Sequence, residues 1–160
     1  MTPKVDHTLV AEFLVRARQH TYAARGDEEG VSPLLPGTRQ FEYSEEPFLY
    51  RDVSVGMGYF SGLEVVYHNE QPIWTMSYAG GVWPTNVLTE EIPAIYTFLR
   101  EALQLVEASQ PFRGPGTYQQ SEYLYWNECQ GNLMRFTGRE AIYHGSLLVY
   151  ELRYHGGLLR

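Results

Sequence analysis

Two stretches of this chain, YFSGLEVVYHNEQPIWTMSYAGG (residues 59–81) and RFTGREAIYHGSLLVYELRYHGG (residues 135–157), lie on one another without a gap. Phe60, Gly62, Glu64, Tyr67, His68, Tyr78, Gly80 and Gly81 recur as Phe136, Gly138, Glu140, Tyr143, His144, Tyr154, Gly156 and Gly157. No other feature restricts the fold as much. Segments sharing one pattern are expected to fold as one supersecondary unit, and like units bury each other well about an approximate two-fold axis.

The pattern around the repeat names the unit. Asp6 can cap a helix whose apolar positions are Leu9, Val10, Phe13, Leu14 and Ala17, at a period of 3.6. AARGDEEGVSPLLPG then reads as an exposed loop, rich in charge, glycine and proline. From TRQFEY onward the period falls to two, which predicts strands over 38–44, 47–55, 58–67 and 72–79. A second helix is expected from Pro93, a residue suited to the first helical position, with Glu90 and Glu91 at its positive end. Its apolar stripe is Ile95, Tyr96, Leu99, Ala102, Leu103 and Val106. Strands follow at 121–129, 133–144 and 147–155. Shorter echoes widen the repeat: Phe13-Leu14 answers to Phe98-Leu99, Pro36-Gly37-Thr38 to Pro115-Gly116-Thr117, and Leu49-Tyr50 to Leu124-Tyr125. The expected fold class is α+β: one domain over 1–160, with halves of about 5–81 and 90–157. Each half is a helix plus an antiparallel meander, with the two main helices packed on the sheet.

Composition closes off several functions. A formal charge of −7 makes a poor partner for phosphate backbones and repels anionic lipid, so neither nucleic acid nor a membrane is an expected partner. One cysteine, Cys129, allows no intrachain disulfide. The N-terminal residues lack the apolar core of a signal peptide, and a cytoplasmic location is the simplest expectation.

The string F-x-G-x-E with Tyr67 and His68, then PIWTMSYAGG and the ending YELRYHGG, resembles a bacterial family of domains of unknown function. The resemblance runs from FLVRARQHTYA through the PGT turn to the closing YHGG. Members of that family often follow an N-terminal helix-turn-helix domain of the Xre type, which implies an association with transcriptional regulators. This sequence opens directly on the first helix, so a stand-alone domain is expected. The resemblance gives no residue a role.

The repeated glutamates carry the chemical question. In a regular strand Glu64 shares a face with Phe60 and Gly62, and Glu140 with Phe136 and Gly138. One reading makes both carboxylates scaffold, bonded to backbone amides at a glycine bulge or to an arginine such as Arg139 or Arg153. The other turns them toward a cleft between the halves, lined by Tyr67, Trp74, Tyr78, Tyr143, Tyr150 and Tyr154. A carboxylate among ring faces attracts an amphipathic or cationic small molecule. No cofactor is expected. His68, His144 and His155 match no metal-ligand spacing, Cys129 reads as a small apolar residue, and the glycine pairs 80–81 and 156–157 read as turn or strand-end positions. No ordered set of nucleophile, base and orienting group is present. A non-catalytic sensing or partner-binding domain therefore stands first. A small hydrolase or isomerase using the glutamates, and a homodimeric interaction protein, are the alternatives.

Overall fold

The structure, a computed structural model, describes residues 5–25 and 30–160. Part of the loop expected over 23–37, namely 26–29, lies outside the described residues. Two helices of more than seven residues are present among the described residues, α1 (His7–His20) and α3 (Ile92–Leu103), with a single turn α2 (Tyr22–Arg25) between them in sequence. Asp6 caps α1, its carboxylate accepting from the Thr8 amide at 2.8 Å. Pro93 sits in the first turn of α3, where a missing N–H costs nothing.

The strands are β1 (Arg39–Glu45), β2 (Phe48–Gly56), β3 (Tyr59–His68), β4 (Gln71–Val82), β5 (Thr117–Gln120), β6 (Tyr123–Asn132), β7 (Arg135–His144) and β8 (Leu147–Leu158). They form one antiparallel sheet in the order β1-β2-β3-β4-β8-β7-β6-β5. The sheet is thus two four-stranded meanders joined edge to edge along β4 and β8. The short β5 has no counterpart among the expected strands, because its four residues hold too few alternations to set a period.

Along the seam Tyr78 lies directly opposite Tyr154, Gly80 opposite Leu152, and Met76 opposite Gly156. Positions that correspond in the two quoted stretches are therefore paired across the seam in reciprocal fashion. The glycine pairs lie at the ends of β4 and β8, just before their last residues Val82 and Leu158, and not in turns. A Cβ at Gly80 would sit 2.2 Å from the Glu151 carbonyl oxygen, and one at Gly156 2.1 Å from that of Thr75. Close approach of the two backbones is what requires glycine there.

One face of the sheet carries the core. Phe60, Glu64 and Val66 of β3, Trp74, Met76 and Tyr78 of β4, and their counterparts on β7 and β8 point to it, as a period of two dictates. Helix α1 packs on β1 and β2 through Phe13, which stacks on Phe48. Helix α3 packs on β6, Phe98 stacking on Tyr118 and Tyr123. Of the expected helical stripe, Leu9 is turned out and 51% exposed, because Val10, Phe13, Leu14, Ala17 and Arg18 already define the buried face.

Candidate functional site

Glu64 is 1% exposed and accepts two hydrogen bonds from Arg18 of α1, Nη1 to Oε1 at 2.8 Å and Nη2 to Oε2 at 2.6 Å. Arg18 also donates Nε to the Pro111 carbonyl at 2.7 Å, so it ties α1, β3 and the 104–116 loop together. Glu140 is fully buried and accepts from Arg113 Nη2 at 2.6 Å and Nε at 3.1 Å, and from the phenols of Tyr125 at 2.6 Å and Tyr150 at 2.7 Å. Both carboxylates have the charge-assisted, bidentate partners that burial demands.

The partners are Arg18 and Arg113, not Arg139 or Arg153. Odd-numbered residues of β7 and β8 project to the opposite face of the sheet from Glu140, where Arg139 pairs with Glu151 at 2.8 Å. Arg18 recurs four residues after Leu14, at core spacing on α1, which is the signal that could have found it. Arg113 lies in a loop without periodicity, and nothing in the sequence points to it.

Asp52 is a third buried carboxyl, one that the sequence expectations do not include. Asp52 of β2 sits directly across from Glu64 in the β2–β3 pair and is 8% exposed. Tyr78 donates its phenol to Asp52 Oδ1 at 2.6 Å. The other meander repeats this arrangement with an amide. Asn127 sits across from Glu140, accepts the Tyr154 phenol on Oδ1 at 2.7 Å, and donates Nδ2 to the Gly114 carbonyl at 3.0 Å. Following the Leu49-Tyr50 and Leu124-Tyr125 match two residues further puts Asp52 on Asn127, so the contrast was available in the sequence. Burial, and then the Glu64 charge opposite, raise the Asp52 carboxyl from 3.8 to about 7, against the Tyr78 hydrogen bond and the nearby Arg18 and Arg113.

Asp52 differs from Asn127 in a second way: it opens on a cavity. A hollow of about 530 Å³ lies between α3 and strands β1 to β3, a volume suited to a small organic molecule. Phe41, Phe60, Tyr78 and Tyr96 give it ring walls, with Asp52 and Arg113 at its inner end and Arg39 and Arg100 also on its lining. Asp52 Oδ2 makes no hydrogen bond with a described residue. Among the described residues the enclosed side-chain atoms without a partner are His68 Nδ1 and Trp74 Nε1, whereas Asp52 Oδ2 is not enclosed. The free oxygen therefore borders the cavity. Arg113 spends Nε and Nη2 on Glu140 and lies 5.8 Å from the Tyr78 ring centroid.

Of the eight residues expected to line a cleft, Tyr78 borders this cavity. Glu64 and Glu140 lie behind it in their ion pairs. Trp74 is buried and stacked on Phe136 at 5.7 Å, while Tyr150 and Tyr154 are buried and spend their phenols on Glu140 and Asn127. Tyr67 and Tyr143 are half-buried, each just before the turn that closes its hairpin, and Arg51 lies over the Tyr67 ring at 5.6 Å. Cys129 lies opposite Gly138, away from His144, and burial pushes its thiol up, toward the unreactive form. Among the described residues, no three His, Cys, Asp or Glu side chains come together as a metal site would need. No described helix is long and apolar enough to cross a membrane.

Fold and cavity together define an α+β protein with a continuous antiparallel sheet and a ring-walled hollow on its helical side. The sequence model of one family, described as a domain of unknown function (DUF5680), matches residues 52–159, from within β2 to the end of β8. The chain belongs to that family. No curated protein and no solved structure matches it.

Proposed function

We propose that this is a non-catalytic small-molecule-binding domain whose ligand occupies the hollow under α3. The observation that carries the reading is Asp52: a buried carboxyl with one oxygen held by Tyr78 and the other bordering a ring-walled space. A carboxyl oxygen on a cavity wall that no side chain engages is open to a donor from a ligand, and that hydrogen bond contributes to binding. The carboxylates on which a catalytic reading would rest, Glu64 and Glu140, are each held by a guanidinium, which suits scaffold better than proton transfer.

The same proposal takes the chain as one domain of two related units, about 5–81 and 90–157, with one unit specialised. Three features support this: reciprocal pairing along the seam, a bidentate Arg–Glu pair in each unit, and Tyr–Asp in one unit where the other has Tyr–Asn. A bacterial cytoplasmic setting, and an association with transcriptional regulators, rest on the sequence resemblance and belong to the proposal.

The test is affinity selection from a small-molecule extract, read by mass spectrometry, with the wild type beside Thr97→Trp. Thr97 is exposed on α3 and borders the hollow, so the indole should fill it without touching the core. Compounds retained by the wild type and lost in the variant support the reading. Identical retention by both proteins contradicts it.

A further inference from the structure

Resting on that cavity reading, we infer that the ligand presents a nitrogen-bound donor, an amidine or amine on an aromatic body, to Asp52 Oδ2 at the inner end of the hollow. Among the described residues the buried charged side chains are Arg18, Arg113, Glu64, Glu140 and Asp52. Two guanidiniums face three carboxyls. Glu64 and Glu140 take the two guanidiniums in bidentate pairs, so the unmatched group is Asp52. An ionised carboxyl at that depth lacks a cation, and a ligand that brings one completes the network.

The other meander shows what the position needs for structure alone. Asn127 accepts the seam tyrosine as Asp52 does, and its amide then closes on a backbone carbonyl. Structure is served there without a charge, so the charge at 52 marks a separate use. The walls agree with an aromatic body: Phe60 packs edge-to-face with Tyr78 and Tyr96, ring centroids 6.0 and 6.1 Å apart, and aromatic walls of this kind attract a cation. Arg100 borders the space from α3, bonded to Thr97 Oγ1 at 3.2 Å, and Arg39 borders it from β1, bonded to the Gly56 carbonyl. Their side chains are half-buried.

Binding of a cation here is linked to protons. The groups that face Asp52 are Glu64 on β3, Tyr50 on β2, Tyr78 on β4, Arg18 on α1 and Arg113 on the 104–116 loop. Burial and Glu64 outweigh the two arginines and hold the carboxyl at about 7. An amidinium must displace that proton, so its affinity rises as pH rises through 7.

The isosteric series benzamidine, benzamide and benzoate tests this by ligand-observed NMR on the full chain. Expected at pH 8 is benzamidine at least tenfold tighter than benzoate, with benzamide between them. Between pH 8 and pH 6 the benzamidine affinity should fall about tenfold, the ratio of ionised carboxyl for a group near 7. Asp52→Asn, which recreates the Asn127–Tyr154 pair, should lose the benzamidine preference while keeping the fold. Benzoate binding as tightly as benzamidine, a benzamidine affinity indifferent to both pH and Asp52→Asn, or no binding by any of the three overturns the inference. Extract compounds that Thr97→Trp excludes but Asp52→Asn still binds would also overturn it, and would leave the cavity reading standing. If Thr97→Trp excludes nothing, both fail.

Discussion

Tyr78 and Tyr154 face each other across the β4–β8 seam, and each reaches back over its own meander to the same place, Tyr78 to Asp52 at 2.6 Å and Tyr154 to Asn127 at 2.7 Å. At this matched position one meander carries an ionisable group and the other an amide, and the ionisable one borders the hollow. Stability should register the difference. The Asp52 carboxyl is raised above its unfolded value, so the folded state binds the extra proton and loses stability as pH climbs from about 4 to about 7. Held at about 7 instead of 3.8, an ionised Asp52 costs the fold on the order of 4 kcal/mol. Asp52→Asn should therefore be more stable than wild type at pH 8 and show little gain at pH 4.5, in urea unfolding followed by circular dichroism. Equal effects at both pH values would show that the carboxyl is not held protonated by the fold.

The repeated glycine in F-x-G-x-E is explained by the same tyrosines. A Cβ on Gly62 would lie 2.2 Å from the Tyr78 phenolic oxygen, and one on Gly138 2.1 Å from Tyr154 Cζ. Each glycine leaves the space over which the neighbouring strand's ring lies on its way to Asp52 or Asn127. Gly138→Ala should cost about 1–3 kcal/mol, the usual penalty of overpacking, and more if the ring is expelled. Gly145→Ala has open space around the added methyl, though its φ of 60° still strains it. A Gly138→Ala protein as stable as wild type would mean that the ring is free to lie elsewhere.

Arg18 and Arg113 should be far more costly to remove than a surface arginine making the same kind of pair. Arg113→Met strands Glu140 in the core and should cost about 3–5 kcal/mol, and Arg18→Met a comparable amount through Glu64. Arg16 also forks onto a carboxylate, that of Glu45, but both side chains are more than 40% exposed, and Arg16→Met should cost about 0–1 kcal/mol. Chemical denaturation ranks the three. Similar losses for Arg16 and Arg113 would contradict the burial argument.

The sequence made the strands legible where alternation was long, as in Gly62-Leu63-Glu64-Val65-Val66, and hid β5, which has four residues. It placed Glu64 and Glu140 on the core face, because a period of two permits nothing else. It did not name their partners. Arg113 arrives from a loop, and the identity of a long-range partner is set by how loop 104–116 packs, which no local pattern encodes. The cavity was hidden for a related reason. Phe41, Phe60 and Tyr96 come from β1, β3 and α3, and only the α3 crossing over the sheet makes them neighbours. Asp52 was half legible: the alignment of halves sets it against Asn127, but its meaning depends on the space beside it.

The most direct measurement is a ¹H–¹⁵N correlation spectrum of the wild type titrated with a compound retained in the affinity selection. Shifts should concentrate on amides that line the hollow, Ser54, Gly58, Phe60, Thr97 and Arg100, with the corresponding region of the other meander around Asn127 unmoved. Shifts centred on the opposite face of the sheet, around Leu63, Ser77 and Arg153, or equal on the two meanders, would contradict it.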